Sequence, residues 1–213
     1  MKIEVIPDRE LNSIKRRIAK EFKFKQRNGT NWKIEGGYFF KLNAGIYYLK
    51  NELRGGLDVK PYYADNLFWT IMGMDLNINE PDSLRAVGAF AVNTWRIKEE
   101  VVEIESCTGI DLLRLEEHFL RLYTMLDRDV REFLRDNPDA DSFYRPPVND
   151  RHMDLPLVML CHMGKYRQAI EMAERAIEAG RCGGILRAMP DGVNKSDYMF
   201  IREYCLSKIA DNK

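Results

Sequence analysis

No apolar run in this 213-residue chain approaches the ~18 residues that a membrane-spanning helix needs. Net charge is missing as well. Its 33 lysines and arginines balance 33 aspartates and glutamates, so the chain as a whole has no pull on polyanions or acidic surfaces. Cysteine is scarce: the four residues stand at 107, 161, 182 and 205, with none close-set. That spacing lacks the paired ligands of a zinc site and reads as separate reduced thiols. The opening Met1–Pro7 has no apolar core of the kind a secretion signal carries, so the cytoplasm is the expected compartment. There is no Gly-x-x-x-x-Gly-Lys loop, no Gly-x-Ser-x-Gly elbow and no pair of histidines one helical turn apart. No cofactor is expected.

The residues that are present describe a sheet-forming first half and a helical second half. Leu11, Ile14, Ile18 and Phe22 recur at spacings of three and four, which predicts a helix over 8–22. Period-two alternation follows, with Asn28-Gly29 and Gly36-Gly37 offering tight turns. Strands are expected around 22–25, 31–35, 38–49 and 57–63, with a bend at Ala44-Gly45 and a turn at Arg54-Gly55-Gly56. Asp65 is read as the cap of a short helix, and the stretch 84–104 as two strands. Leu112, Leu115, Phe119, Leu122, Leu126, Val130 and Phe133 then trace a long amphipathic helix ending before Asn137-Pro138. The Pro-rich stretch 138–151 reads as a connection, and three helices follow it over 155–163, 164–180 and 196–209. The fold class is therefore α+β. An α+β domain over 1–137 carries a helical extension over 152–213, the two packing as separate domains or as one.

Two groups of residues carry possible chemistry. The stretch from Lys15 to Lys33 holds eight cations against Glu21 alone, and 99–141 holds thirteen acids against five arginines. Lys15, Arg16, Lys20, Lys23 and Lys25, with the ring of Trp32, could follow a nucleic-acid backbone or face an acidic protein. The competing reading is a solvated strip neutralised by the acidic helix of the same chain. The second group is Asp150, His152 and Asp154, alternate residues that point one way if the chain is extended there and could hold a metal or exchange protons. A polar connection leading into a helix would contain such residues anyway. Cys161 beside His162 makes a poor catalytic dyad, because neighbouring helical residues point about 100° apart; Cys161 reads as buried.

Gly164-Lys165-Tyr166-Arg167-Gln168-Ala169-Ile170, with Ala173, Ala176 and Ile177, resembles the second half of one tetratricopeptide repeat. Separately, Phe22-Lys23-Phe24-Lys25, Tyr38 to Asn43 and Lys60-Pro61-Tyr62-Tyr63-Ala64-Asp65-Asn66-Leu67-Phe68-Trp69 together resemble the bacterial domain-of-unknown-function 4304 type over about residues 8–75. That resemblance implies a bacterial source and an α+β fold, and no activity. The leading expectation is a non-catalytic protein-interaction module with another protein as partner. An enzyme whose site gathers residues from distant segments comes next, then a nucleic-acid binder using the 15–33 strip.

Overall fold

The computed structural model describes residues 6–88, 90–107, 109–147, 153–190, 192 and 194–211, and its fold is α+β. The chain divides into two compact units: one formed by residues up to 59 with 94–138, the other by 60–93 with 139 onward. Among the described residues, no helix is long and apolar enough to cross a membrane.

The first unit begins with helix α1 (Asp8–Glu21), whose stripe of Ile14, Ile18 and Ala19 is buried. A five-stranded sheet follows in the order β1 (Lys25–Arg27), β2 (Thr30–Glu35), β3 (Tyr38–Tyr47), β4 (Glu52–Pro61) and β5 (Trp95–Glu103). The pairs β1–β2, β2–β3 and β4–β5 are antiparallel. Gly29, Gly36 and Gly37 take the positive φ that the two expected turns require. Helix α4 (Leu112–Asp136) lies on this sheet. The period-two alternation of β3 sends Tyr38, Phe40 and Leu42 to one face, all of them fully buried. The Tyr38 and Phe40 rings meet Phe133 of α4 edge-on at 5.1 and 5.7 Å.

Three expectations fail. Asp65 is not a cap: it is the third residue of helix α2 (Tyr63–Ile71), and its buried carboxylate accepts from Lys60. Arg54-Gly55-Gly56 does not turn the chain; it lies inside β4, and the reversal occurs at Tyr48–Lys50 and Asn51, which takes φ 51°. The glycines answer a packing demand. A side chain on Gly55 would meet Leu126 at 2.6 Å and Leu122 at 3.0 Å, so only glycine lets α4 approach the strand. Among its described residues, the stretch 84–104 contains a single strand, β5. Residues 83–87 instead form the short helix α3 (Ser83–Val87) of the second unit.

The rest of that unit comprises α2 (Tyr63–Ile71), α5 (Asp154–His162), α6 (Tyr166–Glu178), α7 (Asp197–Asp211) and a small hairpin of β6 (Leu186–Ala188) and β7 (Asn194–Ser196). Every residue of α5 from Asp154 to Cys161 is buried, as a helix that is apolar all round requires. It packs against α2, α6 and α7. Gly164, at φ 69°, makes the tight reversal into α6. Ala169, Ala173 and Ala176 then let α6 lie close to its neighbours.

Candidate functional site

The basic strip of the first unit is broken up by burial and pairing. Lys15 is buried on the inner face of α1, and that burial lowers the proton affinity of its ammonium, Asp8 pulling the other way. Arg16 donates to Gln26 Oε1 at 3.2 Å. Arg17 makes a two-pronged ion pair with Glu116 of α4, its Nε donating at 2.7 Å. Lys33 donates to Asp127 of α4 at 2.8 Å, lies 3.0 Å from Glu35, and covers the Phe24 ring at 4.9 Å. The acidic helix thus takes up Arg17 and Lys33 from within the chain. Nor does the Trp32 ring lie bare beside the strip. Phe24 and Trp32 are buried, and the Tyr48 hydroxyl accepts from the Ile6 N–H at 3.1 Å.

What survives of the strip on the surface is local. Lys20, Lys23 and Lys25 are exposed. Lys23, Lys25, Trp32, Lys33, Ile34 and Glu35 line an open groove of about 340 Å³ along the β1–β2 hairpin. Two features of this groove are uncommon. Lys23 holds φ 62°, a left-handed conformation normally left to glycine or asparagine after a helix, and one that costs a lysine strain. Trp32 is only 4% exposed, and its buried indole N–H has no hydrogen-bond partner among the described residues. Ile34, next but one along the strand, is 40% exposed.

No family model, curated protein or solved structure matches this chain. The site has to be read from its own atoms.

In the second unit, a cluster of buried charges around Lys60 is met by partners. Lys60 is fully buried, and its three protons go to Asp65 Oδ1 at 2.8 Å, the Val92 carbonyl at 2.8 Å and the Arg85 carbonyl at 3.2 Å. Burial nonetheless lowers its proton affinity, with Asp65 opposing. Arg85 donates to Asn66 Oδ1 at 2.6 Å, reaches Asp65 at 3.5 Å and stacks over Tyr62 at 4.1 Å. The cluster ties α2, α3 and the end of β4 together, and each of its groups faces inward.

Asp150 and His152 lie outside the described residues. Asp154, their companion in sequence, opens α5 and is buried; it accepts from the Asn93 N–H at 2.7 Å and the Asn93 side chain at 3.2 Å. Asp197, the first residue of α7, is also buried and accepts from the N–H groups of Gly184 at 3.0 Å and Tyr198 at 2.9 Å. Burial pushes its carboxyl up to about 6, with the charge of Asp154 adding to the effect. Among the described residues, no three His, Cys, Asp or Glu side chains come together to hold a metal ion. His162 lies 3.2 Å from Asp141 and stacks on Tyr63 at 3.6 Å.

One feature escaped the sequence. Cys161 and Cys205, 44 residues apart, bring their sulfurs to 3.3 Å. Helical spacing marks each as a core position, but nothing in the sequence sets α5 against α7.

Proposed function

We propose that this chain is a protein-interaction module whose hairpin groove takes an acidic, partly apolar segment of another protein. The observation that carries this reading is Trp32, which lines a groove flanked by two exposed lysines and an exposed isoleucine and whose indole N–H is buried without a hydrogen-bond partner among the described residues. A buried donor without an acceptor leaves the isolated chain incompletely satisfied, and a partner oxygen would complete it. Lys23 and Lys25 would face carboxylates, while Ile34 would meet an apolar side chain. Glu35 at the groove's end disfavours a run of phosphates. Trp32 has too little exposed ring to stack on a base, so a peptide suits the groove better than a nucleic-acid strand. A bacterial source and cytoplasmic residence belong with this proposal.

The test uses a synthetic peptide of alternating glutamate and valine, a thymidine oligonucleotide for comparison, and nitrogen-15 NMR of the indole N–H groups. On peptide addition the Trp32 indole resonance, assigned by its loss in W32F, should move, and K23E/K25E should weaken binding at least about tenfold, or 1.4 kcal/mol. Peptide binding that leaves the Trp32 resonance in place, or that is indifferent to the charge reversal, would refute the proposal. So would a preference for the oligonucleotide.

A further inference from the structure

Cys161 sits on the buried helix α5 and Cys205 on the face of α7 that also carries buried Tyr198 and Ile201. Neither sulfur is bonded to another, and both side chains are buried. At 3.3 Å the contact is close enough for one thiol to donate to the other. The two helices pack directly on each other, so the approach is fixed by backbone elements rather than by loose chain. Closing a disulfide would draw the sulfurs together by about 1.2 Å.

We propose that Cys161 and Cys205 form a redox-active dithiol that hydrogen peroxide converts to a disulfide, clamping α5 to α7. Burial selects the oxidant: a peroxide molecule can enter through small local openings, whereas a bulky disulfide such as oxidised glutathione cannot reach either sulfur. Either sulfur can donate to the other, and the one that accepts gains thiolate character. The two roles exchange if Cys205 donates; with Cys161 donating, Cys205 is the attacking thiolate. That thiolate attacks one peroxide oxygen; the O–O bond breaks, a sulfenic acid forms on Cys205, and the departing hydroxide gains a proton to become water. The sulfur of Cys161 then attacks the sulfur of Cys205. The S–S bond forms as the S–O bond breaks, and the hydroxide released takes the Cys161 proton as a second water. Two electrons pass from the thiols to peroxide.

The full chain supplies its own control, because Cys182 is exposed and Cys107 is buried in the other unit. The protein is treated with hydrogen peroxide until Cys182 is oxidised, then alkylated under denaturing conditions and mapped by mass spectrometry with and without reduction. The expected result is a peptide pair joined through Cys161 and Cys205, two hydrogens lighter than its reduced parts. It should persist in C182S and C107S, with slower hydrogen exchange in α7. Alkylation of both Cys161 and Cys205 after that treatment would overturn the proposal, as would their conversion to sulfinic acids or cross-links through Cys182. The decisive reading comes from the unmutated chain, so it does not depend on whether C161S or C205S folds.

Discussion

Replacing Lys60 by methionine tests whether the buried cluster of the second unit is held by charge. The side chain is fully buried, and each of its three protons has an acceptor within 3.2 Å. Methionine fills nearly the same space and removes all three bonds together with the positive charge. The carbonyls of Arg85 and Val92 lose the ammonium proton each accepts, and Asp65 keeps only the Val92 N–H at 2.9 Å and the more distant Arg85 at 3.5 Å. A buried acceptor stripped of its donor costs about 1–3 kcal/mol, and breaking one side of a buried ion pair typically costs about 3–5 kcal/mol. K60M should therefore lose about 3–5 kcal/mol of unfolding free energy. Urea unfolding gives the magnitude, and faster hydrogen exchange in the peptides of α2 assigns the loss to this unit. The apolar triple variant K60M/D65L/R85M should recover much of it, because it removes the uncompensated charges as well. A K60M cost below about 1 kcal/mol would sink the reasoning, since it would mean that Lys60 contributes no charge to the cluster.

Two further outcomes follow. Asp197 has a folded-state carboxyl at about 6 against an ordinary 3.8, so between those values the folded state binds more protons than the unfolded one. Its effect on stability is therefore unfavourable above pH 6 and relieved on acidification. The wild type should gain roughly 2–2.5 kcal/mol relative to D197N between about pH 8 and pH 4, read from paired urea titrations; a flat or opposite trend would disprove the assignment. G55A should cost about 1–3 kcal/mol through overpacking against Leu122 and Leu126, both fully buried. A melting temperature equal to that of the wild type would show that α4 can shift away without loss.

The sequence made legible whatever repeats at short range. The stripe from Leu112 to Phe133 yields α4 almost to the residue, and the alanines at 169, 173 and 176 yield the tight face of α6. Gly55-Gly56 misleads because a glycine pair is read locally as a turn, whereas its causes lie far along the chain: side chains of α4 about seventy positions on for Gly55, and Arg96 of β5 for Gly56. Ser83–Val87 misleads in the opposite way. Its alternating apolar residues suit a strand, but Leu84 and Arg85 are held in a helical turn, Arg85 anchored on Asn66 and Asp65. The basic strip shows the same limit. Its cations and the acids of α4 are both visible in the sequence, yet the pairing of Arg17 with Glu116 spans 99 positions and only the folded chain reveals it. Cys161 and Cys205 lie beyond any spacing rule for the same reason.

The contrast between Lys60 and Trp32 sharpens the functional reading. Burying an ammonium is far costlier than burying an indole N–H, and the fold answers the greater cost in full: a carboxylate and two carbonyls converge on Nζ. Trp69 likewise donates its indole N–H to the Phe90 carbonyl at 2.7 Å. The hairpin already carries a glutamine, Gln26, but its amide is engaged by Arg16 and Asn31 rather than by the indole. The Trp32 N–H is buried and, among the described residues, unpaired, while Lys23 of the same groove holds a strained left-handed backbone. Two independent costs in one small groove are hard to account for by stability alone, and strain of this kind gathers where a ligand is held. If W32F and K23G each stabilise the isolated chain yet weaken peptide binding, both costs are tied to recognition. If they stabilise it and leave binding unchanged, the groove is a packing imperfection and the interaction surface lies elsewhere.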